Sequence, residues 1–173
     1  MPAARRYRTI LVPIDGSPTG SRGLRQAIAL AKTGRARLLL LHVVDESAAY
    51  ADFESGASAD LVRALVREGH RILKRAQSLA SRHGKDAHAL LRESVGEPVA
   101  EEIVRQAKRL HCDLIVMGTH ARRRGARRVP GSRGARVARD APVPVLLVPQ
   151  RRLTRVGAQK RAAARRSRRR APR

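Results

Sequence analysis

A chain of 173 residues with a net charge of +24 and only 2% aromatic residues has the length of one domain with a tail. So few aromatic side chains exclude the base-stacking platform that many single-strand nucleic-acid binders use. The single cysteine, Cys112, excludes an intrachain disulfide. No apolar stretch reaches the roughly 18 residues of a membrane-spanning helix, and the start has no signal-type apolar region, so a soluble, cytoplasmic protein is expected.

The positive charge is spread unevenly along the chain. Residues 151–173 hold 11 Lys and Arg and no acidic residue, whereas residues 1–150 hold all 14 acids against 27 basic residues. The last segment also lacks apolar periodicity. We therefore predict one domain over 1–150 and a basic, disordered tail over 151–173. Such a tail attracts polyanions, so nonspecific nucleic acid is a predicted partner.

The first predicted element is a strand over residues 8–14, a short apolar run rich in β-branched residues. It runs into Asp-Gly-Ser, a turn-forming sequence. Ser17 and Pro18 are typical of an N-cap and a first helical residue, which predicts a helix from there to Lys32. Gly34 is its expected stop, and glycines in its first turns are expected to weaken its start.

The next segments continue the alternation of strand and helix. Residues 36–44 are a nearly continuous apolar run, as expected for a strand that is covered on both faces of a parallel sheet. Residues 45–57 are acidic and irregular, which predicts a loop. Residues 58–83 show helical periodicity, and Gly84 is expected to end that helix.

The second half of the chain repeats this pattern. Residues 87–94, 112–118 and 143–149 predict three further strands, separated by helices over 95–110 and 132–140. Five strands alternating with helices predict an α/β three-layer sandwich with a Rossmann-like, parallel sheet. Ligands of such sheets bind beyond the carboxyl ends of the strands, where the strand order reverses.

Three segments follow the carboxyl ends of strands one, two and four: residues 15–17, 43–46 and 118–121. Asp15 has two interpretations, either as an acceptor for a ribose or an adenine amino group, or as a helix cap or Asx turn. Gly118 lets the chain turn and lets a ligand approach the backbone. Gly131 and Ser132 open a predicted helix whose first N–H groups are suited to phosphate.

Other chemistry-bearing residues have structural explanations. His42 lies inside a predicted strand and is expected to be a core histidine, whereas His120 lies beside the candidate site. Cys112 is expected to be a core thiol. There is no Walker-type loop, no zinc-spaced Cys/His cluster and no Gly-x-Ser-x-Gly elbow, so no catalytic or metal site is predicted. The remaining histidines are expected at the surface: His70, His83, His88 and His111.

Several separated motifs resemble one known family. TILVPIDGSPTGSRGLRQAIALA is similar to the start of a universal stress protein, and LLLLHVV, VGEPVAEEIVRQAKRLHCDLIVMGTH and APVPVLLVP follow in that family's order and spacing. The resemblance implies an adenine-nucleotide alpha hydrolase-like fold with strand order 3-2-1-4-5. It also implies a homodimer that pairs through the last strand, from Val143 to Val148.

Many members of the family bind ATP through a loop that reads Gly, two residues, Gly, nine residues, Gly, then Ser or Thr. The resemblance places the first glycine at Gly118 and the last pair at Gly131-Ser132, with Ala121 in place of the middle glycine. Pro130 also departs from the pattern, and so does Arg133. The resemblance implies an ATP site, accompanied by Mg²⁺, at Pro13, Ile14, Asp15, Val43, Met117, Gly118, His120, Ala121, Gly131, Ser132 and Arg133.

Two functions fit these residues. The first is a non-catalytic, ATP-binding dimer of the stress response, with slow hydrolysis at most. The alternative is a family member that has lost ATP binding and acts as a protein-interaction or polyanion-binding module through its Arg-rich loop and tail. The arginines of 122–128 fit either function, because guanidinium groups bind polyphosphate and also form solvated, polyanion-binding faces. The alternatives are separated by Ala121→Gly, which should improve ATP binding in a pocket that is merely weakened.

Overall fold

The computed structural model describes residues 7–47, 58–119, 122–124, 127–129 and 132–149. Its strands are β1 (Thr9–Pro13), β2 (Arg37–Asp45), β3 (Ala87–Ser94), β4 (Leu114–Thr119), β5 (Arg122–Arg124), β6 (Arg127–Val129) and β7 (Val145–Pro149). Its helices are α1 (Pro18–Gly34), α2 (Ser58–Arg82), α3 (Val99–Arg109) and α4 (Ser132–Asp140).

The main sheet has five parallel strands in the order β3-β2-β1-β4-β7, which confirms the predicted fold class and strand order. The central strand is β1, where Ile10 pairs with Leu38 on one side and Leu114 on the other. At one edge, β7 pairs with β4 up to the register pair Thr119 and Pro149. Because all five strands are parallel, their carboxyl ends share one edge of the sheet.

Two hydrophobic clusters cover the two faces of this sheet. Ile10 and Val12 of β1 pack with α1 and α2, whereas Leu11 packs with α3 and α4. These three residues are fully buried. Successive residues of a strand face opposite sides, so a continuous apolar run such as β1 is what a sheet covered on both faces requires.

The start of α1 agrees with the predicted cap, and the helix ends at the predicted stop. The Ser17 side chain accepts a hydrogen bond from the Gly20 N–H at 2.9 Å, and Pro18 occupies the first turn. At the other end the helix runs two residues past Lys32 and ends at Gly34, the expected stop. The residue that takes the left-handed conformation is Arg35, with φ 56°, and its N–H bonds to the Ala31 carbonyl.

The stretch between Gly118 and Gly131 is more than the connecting loop that the sequence suggested. β5 and β6 form a separate two-stranded antiparallel sheet, called here the arginine hairpin. In the sequence, two residues, Gly125 and Ala126, stand between the two three-residue runs, and a two-residue spacing that contains glycine is a hairpin signal. The run of arginines hid that signal, because it offers no alternation of apolar and polar residues.

Several predictions fall on residues outside the described ranges. They include most of the acidic loop, residues 48–57, together with the tail and the site residues His120, Ala121 and Gly131. Among the described helices, none combines the length and apolar character needed to cross a membrane.

Candidate functional site

A cavity of about 330 Å³ opens at the carboxyl ends of β1, β2 and β4, on the face of the sheet that α3 and α4 cover. This is where the strand order reverses around β1, the place at which such folds bind ligands. The cavity is lined by Pro13, Ile14, Asp15, Gly20, Leu41, His42, Val43, Asp45, Val99, Ile103, Met117, Gly118, Thr119, Arg133 and Gly134.

The structure brings many of the predicted site residues together around this cavity. Seven of them lie in its lining: Pro13, Ile14, Asp15, Val43, Met117, Gly118 and Arg133. α4 begins at Ser132, directly before Arg133 in the chain. The sequence had no separate signal for the residues that α3 contributes, since their spacing is simply that of an amphipathic helix.

Asp15 has a structural role and a position in the cavity at the same time. Its Oδ1 accepts a hydrogen bond from the Ser17 N–H at 3.0 Å, and Gly16 between them has φ 78°. This is the Asx turn considered as one interpretation of Asp15. A carboxylate has about four acceptor positions, so an exposed Asp15 can also accept a hydrogen bond from a ligand.

One wall of the cavity is apolar. Val43 comes from β2 and Met117 from β4, while Val99 and Ile103 stand one helical turn apart on α3. These residues belong to the hydrophobic cluster of that face or pack against it. An apolar wall at the end of a sheet can cover a flat, weakly polar group such as a nucleobase.

Asp45 places a second carboxylate in the cavity. It is exposed at the end of β2, and its Oδ1 accepts the Ser47 N–H at 3.1 Å. The two aspartates are thus held in the same way, by a turn in which the carboxylate accepts the N–H two residues on. Their fixed carboxylates suit hydroxyl donors, such as the two hydroxyls of a ribose.

Arg133 gives the cavity a positive group on the opposite side of β1 from Asp45. It is exposed in the first turn of α4 and lines the cavity with Gly134. A β-carbon on Gly134 would lie 3.3 Å from the Thr119 Oγ1, so the missing side chain lets α4 begin close to the end of β4. Helix N-termini and guanidinium groups both favour anions.

His42, expected to be a core histidine, is half-buried and held by contacts within the protein, and it also lines the cavity. Its Nδ1 lies 2.7 Å from the carbonyl oxygen of Ile14, and a β-carbon on Gly69 would lie 2.7 Å from the His42 Cδ2. The ring is therefore hydrogen-bonded and packed against α2. The four histidines expected at the surface are exposed: His70, His83, His88 and His111.

Cys112 is a buried thiol, as expected, with 5% of its surface exposed. Burial raises the pKa of this thiol to about 11, and the charge of Asp113 acts in the same direction. A thiol with such a pKa is a packing group rather than a nucleophile.

Strand order and the cavity at the reversal point define an adenine-nucleotide alpha hydrolase-like fold. The family model "Universal stress protein family" matches residues 6–149. The chain therefore belongs to the universal stress protein family.

Known relatives agree with this assignment over most of their length. Universal stress protein MJ0531 of Methanocaldococcus jannaschii is 34% identical over 143 residues, which are 82% of each chain. The crystal structure of a family member from Burkholderia pseudomallei has a TM-score of 0.70 and 36% identity, and covers 85% of this chain and 99% of that one. The crystal structure of a universal stress protein in complex with cAMP has a TM-score of 0.57 and 25% identity. It covers 85% of this chain and 100% of that one.

Proposed function

We propose that this chain binds an adenine nucleotide, ATP with Mg²⁺, in the cavity described above, and acts in the stress response without being an enzyme. The main observation behind the proposal is that Asp15, Val43 and Met117, at the ends of β1, β2 and β4, line one cavity. A similar protein crystallised with cAMP supports an adenine nucleotide as the ligand class.

The cavity offers a partner for each part of such a ligand. The base would lie against the apolar wall, the ribose hydroxyls would donate to Asp15 or Asp45, and the phosphates would meet Arg133 and the first N–H groups of α4. The volume of about 330 Å³ lies at the small end of ligand pockets, which run from about 300 to 1,000 Å³. That size suits the nucleoside and the first phosphate of ATP, so the outer phosphates would extend beyond the cavity.

The polar groups of the cavity suit binding rather than turnover. One oxygen of Asp15 and one of Asp45 accept a backbone N–H in a turn, and Arg133 supplies a positive charge to the cavity. Mg²⁺ binds through phosphate oxygens and one or two carboxylates while keeping several waters, so either aspartate would serve as its protein ligand. Any hydrolysis is proposed to be slow.

We also propose a homodimer that forms through β7 and the residues just before it, Val143 to Val148. β7 is an edge of the main sheet, its sequence VLLVP is apolar, and Leu146 is 37% exposed. An apolar edge strand is a template for pairing with a second copy. Light scattering of Leu146→Glu should then give a monomer under conditions where the wild type is a dimer.

The test of the nucleotide site is isothermal titration of the nuclease-treated protein with AMP and with ATP plus Mg²⁺, at moderate salt. We expect one nucleotide per chain and an affinity about tenfold lower in Asp15→Asn, because the variant keeps an acceptor for Ser17 but loses charge-assisted bonds to the ligand. Asp86→Asn is the matched control, an exposed aspartate just before β3. Equal binding by both variants would contradict the site.

A protein that binds neither nucleotide would contradict the function itself. The same titration of Ala121→Gly then separates the two remaining cases. Binding gained by the variant indicates a weakened pocket of the proposed kind. No binding by either protein favours the alternative, an interaction or polyanion-binding module.

A further inference from the structure

The side chain of His42 connects helix α2 to the strand end that leads into the cavity. Its Nδ1 lies 2.7 Å from the carbonyl oxygen of Ile14. On the other side, a β-carbon on Gly69 would lie 2.7 Å from the His42 Cδ2, so the ring packs closely against α2. Ile14 and the next residue, Asp15, both line the cavity. His42 therefore contacts the backbone immediately before the carboxylate that is proposed to bind the nucleotide.

The hydrogen bond between His42 and Ile14 has a defined direction. A carbonyl oxygen only accepts, so the Nδ1 of His42 carries a proton and is the donor. The Ile14 carbonyl belongs to the same planar peptide unit as the Asp15 nitrogen. Since the Ile14 N–H bonds to the Leu41 carbonyl at 2.8 Å, both polar backbone groups of Ile14 are held by β2. The imidazole thus fixes the peptide plane from which Asp15 extends.

The turn after Asp15 needs such support, because its next residue is glycine. Gly16 has φ 78°, and glycine restricts the backbone less than any other residue does. A β-carbon on Gly16 would lie 3.1 Å from the Ile72 Cδ1, so α2 also packs against this residue. Beyond it, the Asp15 Oδ1 accepts the Ser17 N–H. The carboxylate is thereby held on its C-terminal side by the turn and on its N-terminal side by His42.

We infer that His42 is a positioning residue for Asp15, because it holds the peptide between Ile14 and Asp15 so that the carboxylate is oriented in the cavity before a ligand arrives. An acceptor that is already oriented costs less conformational entropy on binding. The effect on affinity rests on the proposed nucleotide site, whereas the ordering of the turn does not depend on a ligand. The role requires the Nδ1–H of His42 and no contact between that residue and the nucleotide.

The first test is titration of two variants at this position with AMP. His42→Leu loses the donor, and its binding should be about tenfold weaker than that of the wild type. His42→Asn keeps an N–H donor on the γ-carbon, where histidine carries Nδ1, and its affinity should stay within about threefold of wild type. The matched control is His70→Leu, an exposed histidine beside Gly69 that does not line the cavity, and it should bind like the wild type.

A double-mutant comparison distinguishes positioning from a general loss of structure. In the Asp15→Asn background, His42→Leu should weaken AMP binding by about twofold or less, because the charge-assisted bond that His42 positions is already lost. Equal losses in the two backgrounds would overturn the inference. A loss in His42→Asn as large as that in His42→Leu would also overturn it, since the packing of the ring rather than its N–H would then be responsible.

A measurement on the ligand-free protein separates this inference from the proposed function. The NMR order parameters of the Asp15 and Gly16 amides should be about 0.85 in the wild type and in His42→Asn, and below about 0.6 in His42→Leu. A wild type that binds no nucleotide would contradict the proposed function, and these order parameters would still decide the inference. Nucleotide binding together with unchanged order parameters and unchanged affinity in His42→Leu would overturn the inference and leave the function standing.

The thermal unfolding midpoint of each variant shows whether it is folded. If His42→Leu is unfolded, His42→Gln takes its place, because its N–H donor lies one carbon farther from the backbone. That variant should show the same loss of affinity and of order, and wild-type values for both would overturn the inference.

Discussion

A β-carbon on Gly23 would lie 2.6 Å from the backbone nitrogen of Gly118, so α1 and β4 meet through two glycines. A β-carbon on Gly118 would in turn overlap the backbone of Thr19. Gly118 therefore lacks a side chain because α1 occupies that space, in addition to its place in the cavity lining. Gly23 is likewise buried against β4. This close packing explains why glycine, which weakens a helix, stands at this position.

Gly118→Ala should lower the free energy of unfolding by roughly 1–3 kcal/mol, because the added methyl group meets rigid backbone. Urea denaturation measures the change. Gly34→Ala is the control, since its β-carbon would lie 3.6 Å from the Tyr7 carbonyl oxygen, an ordinary contact. That variant should be as stable as the wild type or more stable by up to about 1 kcal/mol. Equal stabilities of the two variants would contradict the packing of α1 on β4.

Arg133→Gln should weaken binding of AMP about tenfold and leave binding of adenosine unchanged, because only the phosphate would meet the guanidinium. Titration with both ligands makes the comparison within one protein. Arg136→Gln provides the control on the same helix, at an exposed position that does not line the cavity. A parallel loss of adenosine affinity in Arg133→Gln would place the arginine at the nucleoside instead.

Arg105 forms ion pairs with two glutamates at the start of α3, Glu97 and Glu102. Its Nη2 lies 2.6 Å from Glu97 Oε2, and it also bonds to Glu102, a carboxylate that is 3% exposed and accepts from Gln106 at 2.7 Å. The hydrogen bond from Arg105 lowers the pKa of Glu97 below its usual 4.5. The contribution of the Arg105–Glu97 ion pair to the free energy of unfolding is therefore complete above about pH 4.5 and is lost as the pH falls through the lowered pKa of Glu97.

Arg105→Gln should therefore shift the urea midpoint to lower concentration at pH 7, and the difference from wild type should narrow below pH 4.5. Part of the loss at pH 7 comes from Glu102, which would remain buried without its cation. Arg109→Gln, an exposed arginine at the end of the same helix, should show no such dependence. A difference that stays constant from pH 7 to pH 3 would rule out the carboxylates as its cause.

Cys112 should react slowly with iodoacetamide at pH 8 in the folded protein and rapidly in urea, because the native thiol is buried and its pKa is about 11. The raised pKa also affects stability. The contribution of the neutral thiol is complete below its usual pKa of 9.0 and is lost as the pH rises toward 11. In Cys112→Ala the free energy of unfolding should therefore decrease less between pH 9.0 and pH 11 than it does in the wild type. Labelling at equal rates in both states would contradict the burial.

The sequence predicted the layers of the fold well, because β1, β2, β4 and β7 are largely apolar runs, whereas β3 (AHALLRES) is a weaker one, and several element ends carry a local signal. Ser17 with Pro18 marked the start of α1, and Gly84 and Gly96 take the positive φ that a turn requires. The seven predicted residues in the cavity lining came from the resemblance and from the rule that such sheets bind ligands at their carboxyl ends.

What the sequence could not provide are contacts between distant parts of the chain. Gly23 and Gly118 are far apart in sequence, so their close approach has no local pattern. Val99 and Ile103 have the spacing of any amphipathic helix, and only the packing of α3 beside β2 brings them to the cavity. The arginine hairpin was missed for a different reason, since a run of arginines has no alternation of apolar and polar residues to indicate strands.

The turn at Asp15 connects ligand occupancy to the backbone at the start of α1. The same carboxylate lines the cavity and accepts the Ser17 N–H, and its Oδ1 lies where a β-carbon on Gly20 would come within 2.5 Å. A ligand that donates to this carboxylate would hold it in place and thereby hold the turn. The amide of Ser17 is therefore a natural reporter: its hydrogen exchange should slow when the cavity is filled, with no probe attached to the protein.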